Sequence, residues 1–234
     1  MTSNLTSPGR PLHIGVVLTK GTTEMLDVAP VELFTWMDKK SLQFLNFPPE
    51  MIEEGIDVVM HWINEDGQPA SMKSGAKIIP TDSFKTAPNL DIVLMGAHGA
   101  YQTNEAERQF IREAFHNCSA FLTICGGIYP LLEAGLLQGK TVAAPRVLLE
   151  MSKGMAPDVE WVDRRWVRDG KLWSSSTLLN GADLMRAFAE EHWGQRSGMI
   201  EGLLDTLHFP KRDADFKDFD GINISVSGTC SFTQ

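Results

Sequence analysis

The sequence has few cysteines and lacks any long hydrophobic run. Its three cysteines, Cys118, Cys125 and Cys230, form an odd set without a CxxC pair or histidines at metal-ligand spacing. Neither a disulfide framework nor a zinc site is therefore expected. No segment approaches the roughly 18 apolar residues of a membrane-spanning helix. We expect a metal-free protein of the reducing cytoplasm that does not enter the membrane.

Positive charge is also scarce, since 21 lysines and arginines face 30 aspartates and glutamates, for a net charge of −9. Surfaces that bind phosphate are built from clustered lysine and arginine. The basic residues here are scattered along the chain. We therefore expect no nucleic-acid partner and no anionic lipid surface, and no motif indicates a cofactor.

The chain length of 234 residues suits one hydrophobic core. We predict a single domain over residues 12–209. The polar residues 1–11 are interpreted as a flexible leader, and the Asp-rich residues 210–234 as a tail lying on the surface. A domain of this size needs no disulfide or metal for stability.

Short apolar runs alternate with segments of helical spacing. His13–Thr19, Leu90–Met95 and Ser119–Ile124 are typical of strands buried on both faces of a parallel sheet. Asp27–Met37 and Asn104–Asn117 have apolar residues at helical intervals, the second behind a capping pattern. The predicted fold class is α/β, with a mostly parallel sheet between helices.

The later part of the chain contains one hairpin signal. Trp161–Trp173 is predicted to be a β-hairpin with its tip at Asp169–Gly170, followed by helices over about 181–193 and 197–208. Ligands of open α/β sheets bind outside the carboxyl ends of the strands. The loop 96–100 and Cys125 are both predicted to lie there.

Cys125 follows a predicted strand directly and precedes Gly126, Gly127 and a helical segment. A thiol at such a turn lies near the free N–H groups of the first helical turn, which favour the thiolate. The two glycines leave room for a substrate and expose backbone donors. Cysteine is often an inert core residue, and we interpret Cys118 and Cys230 that way, but the position of Cys125 indicates a reactive thiol.

Four segments resemble the ThiJ/PfpI superfamily, which has a class I glutamine amidotransferase-like fold. They are CGGIYPLLEAGLLQGK (residues 125–140), LDVAPVELF (26–34), DIVLMG (91–96) and DGKLWSS (169–175). The resemblance covers about residues 12–193. It implies a flavodoxin-like three-layer sandwich, usually a homodimer. The segments around Asp27 and the hairpin are most similar to the isocyanide hydratase branch.

The resemblance also implies that an acidic residue of the first helix touches the nucleophilic sulfur, and Asp27 is the matching position. A carboxyl group beside a thiolate has a raised pKa, and once protonated it can donate a hydrogen bond or a proton to the sulfur. Alternatively, Asp27 caps the helix, and Glu24 or Glu32 is the partner of the thiol.

Three positions depart from the family pattern. Where many relatives have a histidine after the cysteine, this chain has Ala144-Pro145-Arg146, which disfavours a protease. Gly126 stands where isocyanide hydratases tend to carry threonine. His98 occupies a loop position that is usually small or proline, and it is a possible replacement base.

The leading hypothesis is an enzyme in which a Cys125 thiolate attacks a small electrophilic molecule. Backbone N–H groups of Ala97 and Gly126 would hold developing charge, and Asp27 would transfer protons. Hydration of an isocyanide is the favoured reaction, and conversion of a 2-oxoaldehyde is the second. The alternatives are a redox or stress sensor oxidised at Cys125 and an inactive binding scaffold.

Overall fold

The computed structural model describes residues 4–218. Its strands are β1 (Leu12–Val17), β2 (Val58–Asn64), β3 (Ala70–Ser71), β4 (Lys77–Ile78), β5 (Asp82–Ser83), β6 (Ile92–Met95), β7 (Ala120–Ile124), β8 (Thr141–Ala143), β9 (Glu160–Val162), β10 (Trp166–Asp169) and β11 (Leu172–Ser175). Seven of them form one sheet in the order β10-β11-β7-β6-β1-β2-β5. Every pair in it is parallel except the β10–β11 hairpin.

The helices lie on both faces of this sheet. They are α1 (Met25–Val28), α2 (Glu32–Thr35), α3 (Lys39–Phe44), α4 (Pro49–Glu53), α5 (Glu105–Asn117), α6 (Tyr129–Glu133), α7 (Leu149–Met155), α8 (Asn180–Trp193) and α9 (Met199–Thr206). Short 3-10 turns at Ala29–Val31, Cys125–Ile128 and Arg146–Leu148 join some of them.

Two apolar cores separate the layers, as a sheet buried on both faces requires. One core packs α1–α4, α8 and α9 against the sheet, with Phe34, Phe188 and Trp193 at its centre. The other packs α5 and α6 against the opposite face, with Ile111 and Phe121 fully buried. The predicted three-layer α/β sandwich is confirmed.

The strand order brings four loops together at one edge. Neighbouring parallel strands β11, β7, β6 and β1 all end there, at Ser175, Ile124, Met95 and Val17. The segments that follow them carry Leu178, Cys125, Ala97 and Asp27. Residues scattered over about 150 positions of the sequence thereby meet at the carboxyl ends of the strands, where open α/β sheets bind ligands.

The local predictions succeeded where capping and turn signals were strong. Asn104 and Glu107 form the expected capping box at the start of α5. The hairpin tip lies at Gly170, whose φ is 60°. The hairpin is shorter than predicted, because Trp161 belongs to β9, which pairs in parallel with β8. The short helices α3, α4 and α7 were not predicted.

Residues 4–11, which were predicted to be a flexible leader, make specific contacts with the folded domain. Leu5 is only 5% exposed, and its carbonyl accepts the indole N–H of Trp193 at 2.7 Å. Arg10 forms an ion pair with Asp91 at 2.7 Å. The expectation of a free leader is thus corrected for residues 4–11. At the other end, residues 211–218 lie on the surface against the domain, and Cys230 is outside the described residues.

No helix within residues 4–218 is both long and apolar enough to cross a lipid bilayer. The helices are at most 14 residues long, whereas a span needs about 20 apolar residues.

Gly127 illustrates how closely the elbow packs on the sheet. A Cβ atom there would lie 2.2 Å from the Met95 carbonyl oxygen and 2.7 Å from its carbon. Because both atoms are backbone, we expect Gly127→Ala to lower the free energy of unfolding by about 2 kcal/mol or more, as measured by urea denaturation. Gly154→Ala is the matched control: a Cβ there meets nothing within 4 Å in α7, so this change should stabilise by about 0.5–1 kcal/mol. Equal effects of the two changes would contradict the packing argument.

Candidate active site

Cys125 lies on a strained turn between β7 and α6. Its φ is 58°, a left-handed conformation that is uncommon for a residue with a side chain. The predicted strand-to-helix elbow is confirmed. Gly126 follows, and a Cβ there would lie 3.2 Å from the Ala97 Cβ and 3.7 Å from the Tyr129 ring. The glycine therefore leaves a narrow gap beside the cysteine.

Asp27 lies in α1 and is fully buried. Its Oδ2 accepts the backbone N–H of Ala97 at 2.8 Å, whereas its Oδ1 has no hydrogen-bond partner among residues 4–218. The carboxylate thus faces the ends of the strands rather than capping its helix, and the capping alternative is wrong. Burial raises the pKa of Asp27 from 3.8 to about 7.

The thiol of Cys125 is not acidic. Burial, followed by the negative charge of Asp27, raises its pKa to about 11. Hydrogen bonds from the backbone N–H groups of Leu178 and Gly126 act in the opposite direction but are weaker. Burial and the Asp27 charge therefore oppose the thiolate that the turn was expected to favour in the resting site. Desolvation outweighs the backbone dipoles here.

The backbone donors differ from those predicted. The N–H of Ala97 is occupied by Asp27, so it does not point freely at a substrate oxygen, and the oxyanion role predicted for Ala97 is not supported. The N–H groups of Gly126 and Leu178 serve the sulfur itself. These two donors offset part of the cost of negative charge at the sulfur.

The contacts of Glu24 and Glu32 decide whether either carboxylate can be the partner of the thiol. Glu24 precedes α1, pairs with Lys73 at 2.8 Å, and its charge acts on both Cys125 and Asp27. Glu24 therefore lies near the site, and its negative charge is balanced by Lys73. Glu32 is exposed and hydrogen-bonds to Thr35 within its own helix, so the structure excludes it as the partner of the thiol.

His98 is buried, with 4% of its surface exposed, and its ring packs edge-on against Tyr101. Its Nδ1 has no hydrogen-bond partner within the described part of the chain, and burial lowers its pKa. The charge that acts on His98 comes from Glu133, not from the cysteine. With Tyr101, Tyr129 and Glu133 it lines a cavity of about 60 Å³ beside the elbow. The role of a replacement base stays a prediction.

Cys118, the other cysteine within residues 4–218, does not form a second candidate site. Cys118 is fully buried, and burial raises its pKa to about 11. Within residues 4–218 no group of three His, Cys, Asp or Glu side chains is arranged to hold a metal ion.

Sequence reasoning missed two groups at the site. The Leu178 N–H reaches the sulfur because β11 lies beside β7, with Ser175 opposite Ile124. Leu178 is in a loop whose sequence carries no signal for this role. Lys73 reaches Glu24 from the small β3–β4 sheet. Only the three-dimensional pairing reveals either contact.

The raised pKa of Asp27 makes stability depend on pH. Between pH 4 and pH 7 the folded state retains a proton that the unfolded state has lost, so the wild-type free energy of unfolding falls as pH rises through this window. We expect the wild type to lose up to about 4 kcal/mol relative to Asp27→Asn across it. Urea denaturation of both proteins from pH 4 to pH 8 measures the difference, with exposed Asp57→Asn as control. A constant difference would contradict the buried carboxyl.

Comparison with known proteins identifies relatives of this chain by sequence and by fold. Isonitrile hydratase from Pseudomonas putida is 29% identical over 164 residues, which are 68% of this chain and 70% of that protein. A ThiJ/PfpI family protein from Pseudomonas syringae superposes with a TM-score of 0.64 at 14% identity, covering 87% of this chain and 77% of that one. DJ-1 from Schizosaccharomyces pombe gives 0.62 at 15% identity, covering 85% and 100%.

These structural neighbours establish the shared fold, and the sequence establishes the family. The DJ-1/PfpI family model matches residues 15–191, more than half of the chain. This range contains the elbow cysteine, the buried aspartate and the β10–β11 hairpin. The chain belongs to the DJ-1/PfpI family.

Proposed function

We propose that the protein is a cysteine-dependent enzyme that adds water to a small isocyanide and releases an N-formamide. The observation that carries this proposal is the strained Cys125 beside the buried Asp27, whose Oδ1 has no partner within residues 4–218. Similarity to an isonitrile hydratase supports the substrate class. A homodimer in the cytoplasm, as expected from the sequence, belongs to the same proposal.

The resting thiol keeps its proton at neutral pH because its pKa is about 11. In the proposed first step, the sulfur forms a bond to the terminal carbon of the isocyanide. The S–H proton passes to the Asp27 carboxylate and from there to the same carbon, which gives a thioimidate. Asp27 suits this transfer because its pKa of about 7 lets it bind and release a proton near neutral pH.

Water completes the reaction. Its oxygen adds to the thioimidate carbon while Asp27 takes one water proton and returns a proton to nitrogen. The C–S bond then breaks, the sulfur recovers a proton from the hydroxyl group, and the formamide leaves. The N–H groups of Leu178 and Gly126 would stabilise charge on the departing sulfur.

The surface near the site supports an apolar organic reactant. Met25 and Leu26 are 50% and 48% exposed on the helix that carries Asp27, and Leu179 is 61% exposed next to Leu178. Exposed apolar side chains on the segments that carry Asp27 and Leu178 favour a ligand with an apolar body. This feature suits an alkyl or aryl isocyanide.

A redox sensor is the second candidate, and the unpartnered Asp27 Oδ1 favours it as well. If protonated, that oxygen could donate a hydrogen bond to a sulfinate formed on Cys125 by a peroxide. The two functions differ in turnover. An enzyme produces formamide in excess of the protein, whereas a sensor stops after the two equivalents of peroxide that convert each thiol to a sulfinate.

Replacement of the sulfur tests the enzyme. We expect Cys125→Ser to reduce the rate of formamide production from an alkyl isocyanide at least about a thousandfold, measured by proton NMR. Cys118→Ala is the matched control because Cys118 lies in the core beneath β7, and it should keep wild-type activity. The proposal fails if Cys125→Ser retains activity, or if wild-type protein does not turn over isocyanides. Turnover of methylglyoxal alone would favour a 2-oxoaldehyde as the substrate instead.

A further inference from the structure

The C-terminal segment 211–218, called the strap below, is bound to the domain by a buried arginine. Arg165 is 2% exposed. Its backbone N–H donates to the Ala214 carbonyl at 2.7 Å, and its guanidinium donates to the Asp213 carbonyl and to Asp218. The strap is thus held along its length rather than at one point.

The aromatic ring of Phe216, in the strap, makes cation–π contacts with two arginine side chains. The guanidinium carbons of Arg146 and Arg165 each lie 4.6 Å from the centre of the Phe216 ring. Cation–π contacts of this kind stabilise by about 0.5–2 kcal/mol each. Phe216 has a φ of 57°, so its backbone is held in an uncommon conformation.

The strap also reaches the start of α8. Arg212 donates to both carboxylate oxygens of Asp183 at 2.9 and 2.5 Å, and Asp183 is 2% exposed. The same guanidinium lies 3.5 Å from the Leu179 carbonyl oxygen. A bidentate pair with a buried carboxylate fixes geometry more firmly than a surface pair does.

These anchors flank the loop that serves the sulfur. The Ser176 N–H donates to the Arg165 carbonyl at 2.9 Å, which ties one end of the loop to the strap's main anchor. Arg212 and Asp183 hold the other end. Between them lies Leu178, with a φ of 26° that an unconstrained leucine would avoid.

We propose that the strap is a positioning element for the active site, which holds loop 176–180 beside Cys125, where β11 pairs with β7. This inference rests on the proposed role of Cys125 as nucleophile. Phe216, Arg165 and Arg212 act through the loop and do not touch the substrate. Loosening the strap should weaken the charge-stabilising hydrogen bond at sulfur while leaving the sheet and both cores intact.

The test compares Phe216→Ala with Phe216→Tyr in the full chain. Alkylation of Cys125 by iodoacetamide is followed from pH 6 to pH 11 by peptide mass spectrometry, and hydrogen exchange reports on the Leu178 peptide. For Phe216→Ala we expect alkylation about threefold to tenfold slower on the rising part of the profile, from pH 8 to pH 10, and faster exchange at Leu178. Phe216→Tyr keeps the clamped ring and should restore both readouts.

Asp218→Asn weakens one anchor of Arg165 at an exposed position and should give a smaller effect in the same direction. Phe44→Ala is the control, since Phe44 is 74% exposed on α3. If Phe216→Ala changes neither the alkylation profile nor exchange at Leu178, the strap inference is wrong. If wild-type Cys125 does not react at any pH, the proposed function fails, and exchange at Leu178 alone decides whether the strap holds the loop.

Discussion

The site depends on a carboxylate that is held away from water. Asp27 reaches its place because α1 packs directly on the end of β6, where Gly96 leaves space: a Cβ on Gly96 would lie 2.7 Å from the Asp27 Cβ. One carboxylate oxygen is fixed by the Ala97 N–H, and the other is unpaired within the described residues. Ionisation of this group is costly. The high pKa of the neighbouring thiol follows from the same burial and from the same charge.

The high pKa of the Cys125 thiol changes how the cysteine can act. A helix N-terminus often lowers the pKa of a thiol, and the sequence suggested that effect here. The elbow, however, is a four-residue 3-10 turn followed by the five-residue helix α6. A macrodipole sums over aligned peptides, so a short element provides little of it. Burial dominates and keeps the pKa of the thiol high. In the proposed mechanism the Asp27 carboxylate therefore accepts the proton when the sulfur reacts.

Local sequence patterns predicted the parts of the fold that local physics determines. The buried strands ending at Met95 and Ile124, the capping box at Asn104 and the glycine tip of the hairpin were all recognisable. Cys125 was predicted because it directly follows a strand, whereas Asp27 was predicted from the resemblance to the ThiJ/PfpI superfamily. The Leu178 donor, the Glu24–Lys73 pair and the contacts of residues 4–11 and 211–218 join segments far apart in the chain. No periodicity or turn signal encodes such pairings. Burial and hydrogen bonds shift the pKa of the thiol in opposite directions, and their balance cannot be judged before the packing is known.

The set of proton-transfer groups limits the chemistry that the site can support. The position after Pro145, near where many relatives have a histidine, is Arg146, and its guanidinium is engaged by Asp163 at 2.8 Å and by the Phe216 ring. The charged groups that interact with the thiol are Asp27, Glu24 and Lys73, and Glu24 is paired with Lys73. Peptide hydrolysis requires a base for the nucleophile and then an acid strong enough to protonate an amine leaving group, a cycle that a histidine performs well. Addition of a thiol to an isocyanide has no leaving group, and it needs one proton carried from sulfur to carbon. A single carboxyl with a pKa of about 7 is sufficient for that transfer, which is why the departure from the family pattern disfavours proteolysis and leaves hydration chemically accessible.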